Sequence, residues 1–504
     1  MVEAVVLDCF TVEPSGLGVP PYLSSYVRQA FSGLSRQAGA GRVRYLTIDD
    51  VRWALNGGVP LTEPPLSDAH TYSDTVNRAD ALRLLRDAQT VVVVAGDAVP
   101  SVHLHAVNGS IEEIARAVAV TRGRRVLFGP MAGHAVANRT PFLGLFDVLH
   151  THTVTSADLA IGSTAPAAYE QLAADRGGYA ALVEQLGWTP VAEIELYRGC
   201  TRKHFCSFCV EPFKSPAVVF RPVEDVLAEV EDLYEAGVRH FRLGQQTCFF
   251  SYLNRDIGGI ERLLSEIRTR CPDLEVLHID NADPLAVASP AGRKIAQLVA
   301  DYCTDGNCAP MGMETFDPVV VARNALTCTP QILRRAVEHV NEAGADRAAS
   351  GFPRLLPGIN LIYGLPGETH RTHAANLLGL QELFDVGLLC HRTNVRQARV
   401  YPGTPLAALH EADPPPSLEH FPSWKADLDG TWDEPMKQRV YPLGTRLQGL
   451  HAFFTTGRGT WYRRLGSYPI QVVERDTTVR RYTLADLTVT GHAPRFIYGA
   501  RDAT

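Results

Sequence analysis

The sequence predicts an α/β protein in three parts. A doubly wound domain covers residues 1–165, a linker 166–190, a partial parallel (β/α)6 barrel 191–412, and a mixed α+β cap 413–504. Three observations predict it. Five short β-branched runs alternate with helix-compatible segments at the start, six longer strand–helix units follow, and the "PPPS" run from Pro414 to Ser417 breaks that alternation. A chain of 504 residues is long enough for two or three domains, each with its own core.

In the first part the strands are "AVVLD" (Ala4 to Asp8), "VRYLTI" (Val43 to Ile48), "TVVVVAG" (Thr90 to Gly96), "RRVLFG" (Arg124 to Gly129) and "DLAIG" (Asp158 to Gly162). Near-continuous apolar runs suit strands buried on both faces of a parallel sheet, so the domain reads as Rossmann-like. Among the helices between them, "SIEEIARAVAV" opens with a Ser-x-x-Glu capping box. The turns "EPSGLGVPP", "GDAVPS" and "GPMAGH" follow the first, third and fourth strands. Ligands of such sheets sit at the carboxyl ends of the strands, where glycine lets backbone come close. Any one of these turns reads as an ordinary loop; three along one sheet edge point to a bound cofactor.

A polar segment then leads to the second series. Its strands are "AEIELYRG", "VRHFRLGQQ", "LEVLHID", "APMGMETF", "PGINLIYGL" and "LCHRTNVRQAR", alternating with helices such as "PVEDVLAEVEDLYEAG", "IGGIERLLSEIRTR" and "TPQILRRAVEHVNEAG". Such a series closes into a full or partial barrel with its working residues at the strand C-termini. In the cap, "VYPLGTRLQGLHAFFTTGRGTWYRRL" reads as partly helical and "YPIQVVERDTTVRRYTLADLTVTG" as strand-rich.

Composition is that of a globular protein, 45% apolar and 20% charged. A net charge of −7 argues against a general attraction to nucleic acid or anionic membrane. No apolar run is long enough to span a bilayer. "MVEAVVLDCF" enters a strand-like run without a basic leader, so a cytoplasmic location is expected. Ten cysteines in a chain this size are too sparse for a disulfide scaffold, and most of the seven scattered ones read as small buried residues.

The other three, Cys200, Cys206 and Cys209, stand in "YRGCTRKHFCSFCVEP" with the spacing C-x5-C-x2-C, in the first loop of the barrel's C-terminal face. Thiolates are the usual ligands of an iron–sulfur cluster, and three of them leave one iron of a [4Fe–4S] cube open. Zinc is the competing metal, with His204 or Cys248 completing a closed site.

Here the chain resembles the radical S-adenosylmethionine (SAM) superfamily, whose best-known loop is C-x3-C-x-aromatic-C. "CSFC" keeps the last part with Phe208 in the aromatic slot, while the first gap holds five residues rather than three. "LGQQ" (Leu243 to Gln246) stands where the superfamily has a Gly-Gly-Glu-like turn for the SAM amino group, and "GMETFDP" (Gly312 to Pro318) where relatives have a Gly-x-Glu segment. "NLIYGLPGET" and "VRQARVYPGTPLA" resemble the fifth and sixth strands of the branch containing methylthiotransferases. The resemblance implies that Cys200, Cys206 and Cys209 hold a [4Fe–4S] cluster, and that SAM chelates its open iron and is cleaved to a 5′-deoxyadenosyl radical. It implies further that Phe208 packs near the adenine and that Gly244, Gln245 and Gln246 meet the SAM amino group. Glu314, Asn360 and Gln397 would meet the ribose, the methionine carboxylate or the substrate, with Tyr401 among the cofactor contacts and Glu314 and Gln397 as catalytic candidates. For Asn360 and Gln397 a satisfied barrel-end hydrogen bond is an equal reading; a carboxylate inside a barrel, such as Glu314, needs a reason.

Within the superfamily an α/β domain ahead of the barrel is of two kinds. Methylthiotransferases carry three more cysteines there, whereas residues 1–165 contain only Cys9. The other kind binds cobalamin, and "CFTVEPSGLGVPPYLSSYVR" and "GPMAGH" resemble a family of cobalamin-type radical SAM proteins best represented in archaea. The cobalamin contacts this implies are Ser15, Gly16, Leu17, Gly18, Val19, Asp97, Val99, Gly129, Pro130, Ala132, Gly133 and Ser163. The Asp-x-His-x-x-Gly motif of a lower axial histidine is absent: the chain reads Asp8-Cys9-Phe10-Thr11. His70, His103, His105 and His134 read as surface or capping residues, and an empty scaffold is the alternative for the domain.

Together these resemblances imply a C-methyltransferase that acts on an unactivated carbon through a 5′-deoxyadenosyl radical and methylcobalamin. A rearrangement, ring contraction or oxidation without methyl transfer is the alternative, and a corrinoid- or SAM-sensing regulator a third reading. The expected partners are a small-molecule substrate and a flavodoxin- or ferredoxin-type reductant. Membrane and nucleic acid are not expected, although "FFTTGRGTWYRR" (Phe453 to Arg464) carries aromatic and basic residues of the kind that stack on RNA.

Overall fold

The apolar runs of the first third become a parallel sheet in the computed structural model, which describes residues 3–12, 17–18, 20–59, 73–96, 106–133, 140–150, 167–412 and 418–501. The elements are β1 (Ala4–Asp8), α1 (Ser25–Ala38), β2 (Val43–Thr47), α2 (Ile48–Leu55), α3 (Ala81–Asp87), β3 (Thr90–Val94), α4 (Ile111–Ala119), β4 (Arg124–Phe128) and β5 (Val148–His150). All five strands pair in parallel in the order β2-β1-β3-β4-β5. Strand order reverses between β1 and β3, and that switch point is where open α/β sheets bind ligands. The capping box expected at Ser110 and Glu113 opens α4, and a second, Thr47 with Asp50, opens α2. The strand expected at residues 158–162 lies outside the described residues; the fifth strand described is β5, an unforeseen three-residue run.

The chain divides into two units. The first is Met1–Glu195 with Arg221–Phe241 and Arg270–Leu274; the second is Leu196–Phe220 with Arg242–Thr269 and Glu275–Thr504. The first unit therefore also holds β6 (Val191–Glu195) and α5 (Val223–Glu235). Tyr22 and Leu23 pair in parallel with Val191 and Ala192 of β6. Arg28 of α1, 1% exposed, holds these parts together. Its guanidinium donates to the Leu23 and Glu193 carbonyls, 2.6 Å each, and to Glu229 Oε1 of α5 at 3.0 Å. Arg221 and the Tyr179 hydroxyl also donate to Glu229. Burial pushes the Glu229 carboxyl up, but the Arg221 and Arg28 guanidiniums outweigh it and hold it at about 2.

The second unit carries the later strands and helices: β7 (His240–Gly244, whose end from Arg242 onward falls here), α6 (Ile257–Arg270), β8 (Val276–Ile279), α7 (Pro290–Tyr302), β9 (Asn307–Glu314), α8 (Pro330–Gly344), β10 (Leu355–Tyr363), α9 (His370–Asp385) and β11 (Arg392–Gln397). Asp280 N–H donates to the Leu243 carbonyl and Ala282 N–H to the Pro310 carbonyl, linking the ends of β7, β8 and β9. β9, β10 and β11 form a parallel sheet. The alternation of strand and helix seen in the sequence is thus the alternation in the fold.

After β11 come α10 (Phe421–Leu428) and α11 (Glu434–Val440), then β12 (Arg446–Thr456), β13 (Gly459–Arg463), β14 (Val472–Glu474), β15 (Leu484–His492) and β16 (Ile497–Ala500). These five strands close into a small barrel in the order β12-β13-β14-β16-β15. The segment read as partly helical is mostly strand: β12 and β13 form a hairpin through it, pairing Phe454 with Trp461. Alternation wins there over helical periodicity, with Tyr462, Val472 and Ile497 turned into the barrel at 1%, 0% and 0% exposure. Among the described residues no helix is long and apolar enough to cross a membrane.

The buried Arg28–Glu229 pair generates a stability prediction. Arg28→Ala leaves Glu229 buried with one guanidinium fewer, and should cost about 3–5 kcal/mol in urea unfolding of the full chain. Because the folded carboxyl is depressed to about 2 from its ordinary value, its contribution is complete above that ordinary value and is lost as pH falls from there towards 2. Arg28→Ala should therefore narrow the gap in stability between pH 7 and acid.

Candidate active site

The cysteine loop begins where Tyr197 and Arg198 pair antiparallel with Val219 and Phe220, tying the two ends of the segment together. Inside it, Cys209 N–H donates to the Cys206 carbonyl at 3.0 Å. Ser207 is held twice by Asn324, through its N–H to the Asn324 carbonyl and through its hydroxyl to Oδ1 at 2.8 Å. Asn324 donates in turn to the Pro366 carbonyl, in the turn after β10. Leu406 N–H donates to the Ser207 carbonyl. The loop is thus fixed by backbone and amide bonds that use none of its thiols.

Burial is the main influence on those thiols. It raises Cys200 and pushes Cys206 and Cys209 up to about 11 and about 12; the charge of Cys200 adds to the rise at both of the others, and that of Cys206 to the rise at Cys209. Arg202, within the five-residue gap, donates from Nη1 to Cys206 Sγ at 3.1 Å. Its Nε and Nη2 meet the two carboxylate oxygens of Asp283 at 3.0 and 2.9 Å. Three cysteines in one short loop, one buried and two half-buried, with a guanidinium N–H aimed at one of them, fit a cationic iron–sulfur group that would keep them as thiolates. The residues named for zinc are placed otherwise. His204 is exposed, and the buried Cys248 sulfur accepts the Asp283 N–H.

The turn Gly244–Gln246 ends β7 with Gln245 in the left-handed region at φ +60°. Gln246 is 1% exposed; its Nε2 donates to the Leu243 carbonyl, and its Oε1 has no partner among the described residues. That orphan acceptor suits an ammonium group. Phe208 packs with Cys209, Ile362 and Ala398 around Leu365 and Leu406, an apolar wall beside the cysteines.

Glu314 ends β9 at φ +63°, past a bulge after Gly312. Its carboxylate folds back so that a Cβ on Gly312 would lie 2.2 Å from Oε1. Oε2 is buried without a partner among the described residues, and burial raises the carboxyl to about 7 against the pull of Arg202 and Arg396. Asn360 on β10 is level with Gly312 on one side and Asn394 on the other. With its amide turned to suit the guanidinium, the Asn394 side-chain oxygen accepts from Arg396 Nη2 and Nε at 3.0 and 2.9 Å.

Alternation puts Asn360, Asn394 and Arg396 on one face of this sheet. Gln397 is in register with Tyr363, on the other face, and is exposed. Tyr401 lies in the following turn, with the Arg399 guanidinium 5.0 Å from its ring. Arg202, Asn324, Asn394 and Arg396 escaped the sequence reading. A period of two counted back from Gln397 lands on Val395 and Thr393, so no sequence signal singled out Arg396 and Asn394.

In the first unit, Leu17 and Gly18 pair with Val12 and Thr11. Gly129, at φ +110°, passes so close to β3 that a Cβ would lie 2.8 Å from the Ala95 carbonyl oxygen. Pro130, Ala132 and Gly133 form the short helix that follows, where Met131 N–H donates to Ala95. Ser15, Gly16, Val19, Asp97, Val99 and Ser163 lie outside the described residues, as do His70, His103, His105 and His134. Asp8, at the end of β1, accepts from the Tyr45 hydroxyl and the Phe10 N–H and is raised by burial to about 7.

Residues 194–377 match the radical SAM superfamily. An uncharacterized protein of Methanocaldococcus jannaschii is 32% identical over 533 residues, covering 99% of this chain and 93% of its own length. A tRNA-2-methylthio-N(6)-dimethylallyladenosine synthase of Cereibacter sphaeroides is 27% identical over 331 residues, 62% of this chain and 66% of that protein. Among solved structures, the cobalamin-dependent S-adenosylmethionine radical enzyme OxsB with aqua-cobalamin and S-adenosylmethionine bound aligns with a TM-score of 0.49 at 12% identity, over 81% of this chain and 55% of that one. By its matched segment and its near-full-length relative, this chain belongs to the radical SAM superfamily, in one family with the Methanocaldococcus jannaschii protein.

Proposed function

We propose that the protein is a cobalamin-dependent radical SAM methyltransferase that alkylates an unactivated carbon of a small molecule in the cytoplasm. A flavodoxin- or ferredoxin-type donor would supply its electrons. The observation that carries the radical SAM part is a loop of three thiols within one unit, in which the Arg202 guanidinium reaches Cys206 at 3.1 Å, Arg202 acts on the charge of Glu314 and Cys206 feels it. The sheet order β2-β1-β3-β4-β5, with small-residue turns at its carboxyl edge, supports a cobalamin on the first unit. When bound, the cluster supplies an electron for carbon–sulfur cleavage of SAM and the cobalamin supplies the methyl group.

The chain's own residues divide the remaining work. Cys200, Cys206 and Cys209 hold the cluster, and Phe208 offers the adenine an apolar wall with Ile362 and Ala398. Gln246 Oε1, an acceptor with no partner among the described residues, receives the SAM amino group. Arg396 presents a guanidinium suited to a carboxylate, steadied by Asn394. Glu314, raised to about 7, holds or releases a proton at Oε2 near neutral pH. Cys9 follows β1 fully buried, so the cobalamin takes no histidine from that position. We assign residues 1–165 to the cobalamin domain, 166–190 to a linker, 191–412 to the SAM barrel and 413–504 to a substrate-selecting cap.

Anaerobic protein reconstituted with iron, sulfide and cobalamin, then desalted, should keep both the broad cluster absorbance and corrinoid bands. With SAM and a low-potential reductant it should yield 5′-deoxyadenosine and S-adenosylhomocysteine. The combined Cys200→Ala, Cys206→Ala, Cys209→Ala variant should lose the cluster and 5′-deoxyadenosine but retain corrinoid. Cluster and 5′-deoxyadenosine without corrinoid or S-adenosylhomocysteine would replace methyl transfer with rearrangement or oxidation.

Glu314 gives a sharper test. Gly312→Ala must displace the carboxylate, because the new Cβ would sit 2.2 Å from Oε1. It should lower the rate of 5′-deoxyadenosine formation about tenfold or more, while thermal unfolding stays near wild type, since a flexible side chain yields. Glu314→Gln should abolish the inflection near pH 7 in the pH–rate profile, because its amide cannot titrate.

A further inference from the structure

The gap between Cys200 and Cys206 is longer than in the superfamily's best-known loop, and one of its residues, Arg202, reaches back to a cluster ligand. Nη1 lies 3.1 Å from Cys206 Sγ, while Nε and Nη2 are clamped in a bidentate pair by Asp283 at 3.0 and 2.9 Å. The clamp is itself anchored, since Asp283 also accepts the Leu285 N–H at the start of the short helix Pro284–Val287. The Arg202 and Asp283 side chains are only 23% and 10% exposed, so water screens them little. A guanidinium held in this way cannot swing away when the sulfur changes charge.

We infer that Arg202 is a positioning and tuning residue for the cluster: its N–H bond to Cys206 and its fixed charge raise the cluster's reduction potential, and Asp283 sets how far. The physical reason is one of sign. Reduction adds one electron to the sulfur–iron unit, and a nearby cation with an N–H aimed at sulfur stabilises the more negative state. The Asp283 carboxylate acts in the opposite sense, and it bears on Cys200 as well. Neutralising either partner leaves the other uncompensated, so the two variants must shift the potential in opposite directions. A residue that merely held the loop would not produce that sign difference. The inference rests on the cluster alone, and stands or falls independently of cobalamin and of methyl transfer.

The test is an EPR-monitored redox titration of the full chain, reconstituted anaerobically with iron and sulfide and without SAM, using dithionite and mediators. Iron and sulfide content and circular dichroism are read for each variant. Arg202→Gln should move the midpoint negative by a tenfold change in the reduction equilibrium, about 59 mV for one electron. Asp283→Asn should move it positive, and Arg202→Lys, which keeps the charge, should fall between Arg202→Gln and wild type. If Arg202→Gln assembles no cluster, Asp283→Asn and Arg202→Lys still decide the matter by the sign of their shifts. Midpoints unchanged in variants that hold a full cluster, or shifts of one sign for both Arg202→Gln and Asp283→Asn, would overturn the inference. Failure of the wild-type chain to assemble any cluster would instead strike the radical SAM reading itself.

Discussion

Three thiols in one short loop, each raised by partial or full burial, are the constraint on which the rest of the second unit depends. A buried thiol resists ionising, and Cys206 and Cys209 are pushed to about 11 and about 12. Ligation demands the thiolate, so the loop can do its work only with a cationic centre, and binding that centre must release protons. The loop therefore needs its shape before the metal arrives. Asn324 provides much of it, by bonding Ser207 through backbone and side chain and then reaching the turn after β10. An asparagine is well chosen there: it has both donors and acceptors, and no charge to perturb the sulfurs.

The first unit meets a related problem with the opposite outcome. Glu229 is buried, yet it stays ionised, because Arg28 and Arg221 both reach it. Asp8 and Asp50 are also buried, but hydroxyl and amide donors alone leave each raised to about 7. The difference is the presence of a guanidinium, which outweighs desolvation where neutral hydrogen bonds do not. Glu314 lies between these cases, with Arg202 and Arg396 in range but not in contact, and it too is raised to about 7.

How much of this could be read from the sequence follows the same physics. The first four strands announce themselves because parallel strands buried on both faces must be apolar throughout, and "TVVVV" has no other use. Strand β5 is short and borders residues with no such run, so its place in the sheet could not be seen. The segment from Val440 to Leu465 misled because its apolar residues also fit a helix, and only closure of the small barrel decides for strands. The cysteines were legible by spacing. Asn394 and Arg396 were not, since the inner face of β11 is polar and offers no hydrophobic alternation from which to fix the register.

Gly312 and Glu314 show why a short motif can be one physical device rather than two chosen residues. In regular β9 geometry Gly312 and Glu314 would share a face, one step apart along the strand. The bulge instead pairs Gly312 with Asn360 and Glu314 with Leu361, so the strand loses a step at its last residue. Glu314 takes up the slack in the left-handed region, a conformation disfavoured for a residue with a side chain. Its carboxylate then turns back into the volume that a side chain at 312 would occupy, at the level of Asn360. The glycine is required because the glutamate uses its space, and the strain at Glu314 holds the carboxylate there instead of letting it extend past the strand end. A carboxyl kept out of water in this way, with two guanidiniums near but not bonded, can change its protonation near neutral pH. A glutamate in an ordinary strand position, free to reach solvent, could not.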